Sequence, residues 1–170
     1  MNYLEIVFYI LICQGLLGAF DVLWNHEYKE SLPSKDSAAL EQQIHGVREL
    51  LYSVIFLGLA WFTWGGFWAC VFFGIVVVEI LLTAWDFLVE DQTRKLSPTE
   101  RVVHLVMSMT GGAYVAFLIL VLWDWFADES VLTFASYGAF SYILSLFGLG
   151  VLAWGVRDLI AGVKLARAAG

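Results

Sequence analysis

Five apolar runs, each close to the roughly 20 residues that carry an α-helix across a bilayer core, set the outline of this chain. They cover 3–24, 46–64, 67–88, 102–125 and 131–156. Only helices and closed β-barrels can cross a bilayer, because every backbone polar group must find a partner inside the segment or its sheet. Barrel strands alternate apolar and polar residues. The run Val71-Phe72-Phe73-Gly74-Ile75-Val76-Val77-Val78 does not alternate. The fold class expected is therefore all-α: one membrane domain over 1–170 with about five transmembrane helices. Composition agrees, since 61% of the residues are hydrophobic against roughly 45–50% in soluble domains.

The basic residues orient the spans. Lys29, Lys35 and Arg48 lie in or beside the first connection, Arg94, Lys95 and Arg101 in the third, and Arg157, Lys164 and Arg167 beyond the last span. Five spans put all nine on one face, and the positive-inside rule then sets the N-terminus outside and the C-terminus inside. Trp61, Trp64, Trp68, Trp123 and Trp125 fall at the outer belt, and Trp24, Trp85 and Trp154 at the inner one. The first residues carry no positive segment, so the first run reads as a retained helix rather than a cleaved signal. A plasma (inner) membrane is the expected location. The net charge of −7 argues against nucleic acid, which needs a basic face. Cys13 and Cys70 fall at different depths, so no disulfide is expected.

Local signals place the connections. Gly65-Gly66 predicts a tight turn joining the second and third spans. Ser97-Pro98-Thr99-Glu100 carries a capping-box signature, with Ser97 as N-cap, Pro98 at the first helical position and Glu100 at the third. Ser37 is a candidate N-cap for the helix leading into the second span. Ser108, Gly111 and Gly112, like the glycines and serines of the fifth span, read as small residues for close helix packing. The fifth span, 131–156, contains no acid or histidine and is expected to lie outside the four-helix bundle of the others. There it would serve packing or a homo-oligomer contact.

The residues that suggest chemistry gather near the inner ends of the first four spans. Glu41 and His45 open the second, Glu100 and His104 the fourth, and both are Glu-x-x-x-His. Residues four apart share one helix face. Asp21 closes the first span and Asp86 the third, with Gln14 and Glu79 seven residues earlier. The chain thus has a two-fold internal repeat with both halves in the same orientation. Counted from the outer ends, Asp21, His45, Asp86 and His104 all lie roughly 27–30 Å deep at 1.5 Å per residue. Glu79, well inside an apolar run, is expected to face the interior or a partner such as Arg48.

Two lone carboxylates and two Glu/His pairs on four helices resemble the ligand pattern of ferritin-like di-metal carboxylate bundles. The spacing here is four rather than three, and Asp stands where Glu is usual. The resemblance implies a dinuclear site with Asp21, Glu41, His45, Asp86, Glu100 and His104 as ligands. It would hold two divalent or redox ions, iron first with manganese or zinc as alternatives. His26, Glu49, Glu79 and Glu90 are candidates for supporting or proton-carrying roles. By analogy, redox-active iron there implies oxygen or peroxide chemistry on a lipid-soluble substrate. Two other functions stay open: a proton or metal-cation transporter or channel using Glu79, Asp86 and Glu49, and an accessory subunit of a membrane complex.

Overall fold

The computed structural model describes residues 2–168. Five helices dominate it: α1 (Tyr3–Phe20), α2 (Ala39–Trp61), α3 (Phe67–Thr93), α4 (Pro98–Phe126) and α5 (Ala139–Ala168). Each is long and apolar enough to cross a membrane. Large apolar side chains face outward around the bundle, among them Leu81, Leu105, Trp123 and Leu146. A soluble surface does not carry so much contiguous apolar area. Cys13 and Cys70 are both free.

Two short antiparallel strands close one end. β1 (Phe62–Trp64) follows α2, β2 (Leu132–Phe134) precedes α5, and Phe62 pairs with Phe134, Thr63 with Thr133 and Trp64 with Leu132. Gly65-Gly66 makes the expected tight turn into α3. Gly66 adopts φ 56°, and a Cβ there would stand 2.7 Å from Ser130 Cα, so both conformation and space require glycine. The fifth helix starts at Ala139 rather than near 131, because 132–134 are drawn into this strand pair.

Beneath the strands the helices meet in an apolar layer containing Phe8, Leu11, Leu59, Phe72, Leu118 and Leu144. Trp64 is buried in it rather than placed in an outer belt, its indole N–H donating to the Gly58 carbonyl at 3.2 Å. The other end of the bundle is polar, and the buried acids and histidines lie there.

Helix α5 is not peripheral. It runs antiparallel along α2 in the most extensive helix contact of the described residues. Gly46 and Gly155 face each other, each so close that a Cβ would meet the other's carbonyl oxygen within 2.9 Å. Gly148 lies against Leu57 and Gly162 against Gln43. This small-residue face is thus occupied inside the chain, and close backbone approach supplies the van der Waals contact that holds helices together in lipid. Elsewhere α1 packs on α4, and α3 on α2 and α4. Gly111 and Gly112 do not mediate a close approach; a Cβ on Gly112 would meet nothing within 4 Å.

The expected cap of α4 is present: Ser97 Oγ accepts from the Glu100 amide and Glu100 reaches back to the Ser97 amide. The same device starts α1 through Asn2 and Glu5. Ser37 does not cap α2. It lies within a 3₁₀ turn, Asp36–Ala38, and Ala38 takes the cap position without a side-chain bond.

Candidate metal centre

The α-helical ladder of α1 gives way at Asp21 to a π-helix, Asp21–Lys29. Its last bond is of the i→i+5 type, from the Glu30 amide to the Asn25 carbonyl at 2.9 Å. π-Turns are rare and are frequently found at functional sites. The consequence is geometric. Residues five apart, which drift off a common face in an α-helix, come together in a π-helix, so Asp21, Asn25 and His26 are all buried. Asn25 donates to Asp21 at 2.7 Å. His26 is turned inward, only 2% exposed.

His26, Glu90, Glu100 and His104 form one cluster, drawn from the π-turn, the end of α3 and the start of α4. One potential ligand atom from each lies within 4.8 Å of all the others. Two ligands opposite one another across a metal at about 2.1 Å each stand about 4.2 Å apart, so only small side-chain movements close this set. Neither ring nitrogen of His26 has a hydrogen-bond partner, nor does Glu90 Oε2. Asp21 Oδ2 and Glu100 Oε1 are 3.6 and 3.8 Å from His26 Nε2, beyond hydrogen-bond range. Buried polar atoms are seldom left unpaired, and these converge on one point.

Asp21 has a different place from the one its sequence position suggests. Its Oδ2 lies 3.0 Å from His104 Nε2, while His104 Nδ1 faces Glu90 Oε2 at 3.6 Å. A carboxylate on one imidazole nitrogen fixes the ring and leaves the other nitrogen for a metal. Asp21 is therefore placed to orient His104.

Glu41 is drawn away from the histidines. Arg94, in the connection after α3, donates to Glu41 at 2.8 Å and to Glu100 at 2.7 Å, and lies 3.5 Å from Glu90. Burial pulls the guanidinium down, but the hydrogen bonds it donates to Glu100 and Glu41 outweigh it and hold Arg94 above its ordinary value. The planar fork of arginine suits such shared carboxylate binding. Glu100 thus caps α4, binds Arg94 and faces His26.

His45, Glu49 and Asp158 form a second cluster with the same 4.8 Å limit. His45 Nε2 faces Glu49 at 3.7 Å and His45 Nδ1 faces Asp86 at 3.7 Å. Neither His45 nitrogen is hydrogen-bonded, and Glu49 Oε2 is also unpaired. Asp86 forms a close ion pair with Arg48, which also lies 3.7 Å from Glu79. The expected Glu79–Arg48 pairing is present, and Thr83 donates to Glu79 at 2.6 Å. His45–Asp86 and His104–Asp21 are corresponding pairs of the two sequence halves. Comparison with protein-family models, curated proteins and solved structures finds no match for this chain.

Of the six expected ligands, His45, Glu100 and His104 lie in these clusters. Asp21 and Asp86 stand behind histidines, and Glu41 is held by Arg94. His26, Glu49 and Glu90, expected in supporting roles, come to the centre. Asp158, which no sequence signal singled out, is 1% exposed on α5 beside Arg157, which also pairs closely with Glu27. The acid lies just beyond the 131–156 window; following the helix to its observed end at Ala168 would have included it.

Proposed function

We propose that this protein is a membrane-embedded metal protein with two neighbouring carboxylate/histidine positions at the cytoplasmic side of the bilayer, oriented N-terminus out and C-terminus in. His26, Glu90, Glu100 and His104 would hold one ion, and His45, Glu49 and Asp158 the other. The observation that carries this reading is the convergence of unpaired buried ligand atoms, His26 above all. Charge supports it. Among the described residues, the buried carboxylates Asp21, Glu41, Glu49, Glu79, Asp86, Glu90, Glu100 and Asp158 face only three arginines, Arg48, Arg94 and Arg157. Two divalent cations would offset most of the excess, and buried charge is costly unless so compensated. The rings of His26 and His45 are 4.7 Å apart between centroids, which brings the two positions into one centre.

The mixed nitrogen and carboxylate donor set suits iron, manganese or zinc, with iron the first expectation. Bound iron would supply redox chemistry with oxygen or peroxide, and a lipid-soluble substrate is the class expected of a site at this depth. The protein's own contributions are the orientation of His104 by Asp21, the fixing of Glu100 by Arg94, and the exclusion of water by the apolar layer on the strand side.

The transport reading draws on one feature. Gln14, bonded to Thr110, and Glu79 and Tyr114 line a cleft of about 370 Å³ that also reaches His26, His45 and His104. None of its lining residues lies nearer the strand end than Gln14, Tyr52, Glu79 and Val115 on their helices, and Tyr114 belongs to the apolar layer. A line of polar groups that reaches no further than mid-helix fits proton delivery to the proposed centre better than passage across the membrane.

Elemental analysis of the detergent-purified protein tests the metal reading. Metal near two ions per chain is expected, with about half lost in a His26→Ala/His104→Ala variant that keeps its helical circular dichroism. Substoichiometric metal in the wild type, or no change in the variant, would overturn it.

A further inference from the structure

A second cleft, of about 210 Å³, lies between α1 and α5 and runs inward to α2. Its outer walls are Ala19, Leu23, Leu146 and Gly150, all exposed on the surface of the spanning helices, so its mouth faces lipid. Phe147 bounds it by lying against Gly15. The inner end changes character. Tyr52 and Trp154 line it together with His45 and Glu49. The Trp154 indole N–H is buried with no acceptor, and both His45 nitrogens and Glu49 Oε2 also lack partners. Glu49 is 7% exposed.

We propose that this cleft admits from the bilayer the neutral ring head of a quinone-type lipid and sets a ring oxygen against the Trp154 indole N–H, beside the metal position proposed for His45 and Glu49. Each part of that description follows from the walls. Aromatic side chains around the inner end favour a flat ring, since offset and edge-on ring contacts add to simple burial. An unpaired N–H donor calls for an oxygen acceptor, and leaving it unsatisfied costs more than the net gain of an ordinary hydrogen bond. An anionic head is disfavoured, because Arg48 is already engaged by Asp86 and Glu79 and the carboxylates would repel it, while a cationic head would meet in the Trp154 N–H a donor rather than an acceptor. The apolar mouth leaves a hydrocarbon tail in the lipid. Pockets of this kind, apolar with a few convergent polar groups, are the usual form of small-molecule sites. This assignment names the substrate class of the proposed metal centre and rests on that reading for its chemistry, whereas binding in the cleft does not require a metal.

Gly150 supplies the test. A Cβ there would meet nothing within 4 Å, so Gly150→Phe can add a ring at the cleft mouth without displacing the backbone. Gly18→Val is the second variant, its added Cβ touching only the end of Met107 at 3.8 Å. The measurement is quenching of tryptophan fluorescence by decylubiquinone in the purified, detergent-solubilised full-length protein, alongside metal content and melting temperature. Saturable quenching is expected for the wild type. In Gly150→Phe or Gly18→Val the half-saturation concentration should rise at least tenfold, with metal and melting temperature unchanged. Quenching that rises linearly without saturation, or the same saturation curve in both folded variants, overturns the proposal. Saturable, variant-sensitive quenching in a wild type without metal keeps the cleft and removes the metal centre. Stoichiometric metal with unsaturable quenching does the reverse.

Discussion

His26 and His45 pack with their ring centroids 4.7 Å apart, and no nitrogen on either ring is hydrogen-bonded. Two imidazoles, one from the π-turn after α1 and one from α2, are thereby held side by side, each facing its own group of carboxylates. Because the groups are distinct, the two proposed metal positions should be separable by mutation. Asp158→Ala should lower metal content by about one ion per chain and leave the His26 group loaded, while His26→Ala should do the converse. Metal analysis of both variants, with spectroscopy of the remaining ion, reads the split. Complete loss in both would mean that the positions are not independent.

Arg94 is the only guanidinium within reach of Glu41, Glu90 and Glu100 among the described residues. Removing one partner of a buried charge group typically costs about 3–5 kcal/mol, so Arg94→Met should markedly lower the melting temperature. Arg94→Lys should restore only part of it, because an ammonium cannot reproduce the forked geometry. Equal melting temperatures for wild type and Arg94→Met would contradict this account.

The glycines of α5 should differ in tolerance. Gly155→Leu forces a side chain into the Gly46 carbonyl and the Glu49 Cβ, and overpacking of this kind costs about 1–3 kcal/mol or more. Gly150→Leu should be close to neutral. Thermal unfolding in one detergent, comparing the two, tests whether α5 is seated on α2.

Glu79→Gln should retain metal, since Glu79 belongs to neither ligand group and contacts Arg48 and Thr83. If it feeds protons to the centre, turnover should slow while metal content holds. Proteoliposomes of the wild type should show no proton or metal-cation flux. Flux that disappears in Glu79→Gln would favour a transporter.

The Glu30–Lys35 pair gives a small pH effect outside the spans. Its hydrogen bond from Lys35, at 2.8 Å, lowers the Glu30 carboxyl below its ordinary value. A depressed carboxyl stabilises the fold above its unfolded pKa and loses that contribution as pH falls through the folded one. Both side chains are partly exposed, so the effect should stay below about 1 kcal/mol. Lys35→Met should remove it, seen as a flatter dependence of melting temperature on acid pH.

Several features were legible before any tertiary contact was known. The five helices follow from apolar runs too long for anything but a bilayer. The Gly65-Gly66 turn and the Ser97–Glu100 cap follow from backbone chemistry confined to a few residues. That His45 and His104 lie at the same level as Asp86 and Asp21 follows from helical rise, and the cost of burying Glu79 pointed to Arg48. These signals are local, or depend only on solvent and length, so one strand of sequence contains them. What the tertiary structure decided is which charged groups meet. The π-turn after Phe20 changes the register by which side chains share a face, and that brings His26 inward. Arg94 reaches across to bind Glu41, and the packing of α5 on α2 delivers Asp158 to His45. Each depends on contacts between residues distant in sequence, whose energies no periodicity records, and together they shift the candidate centre from the six residues that spacing suggests to the seven that the folded helices bring together.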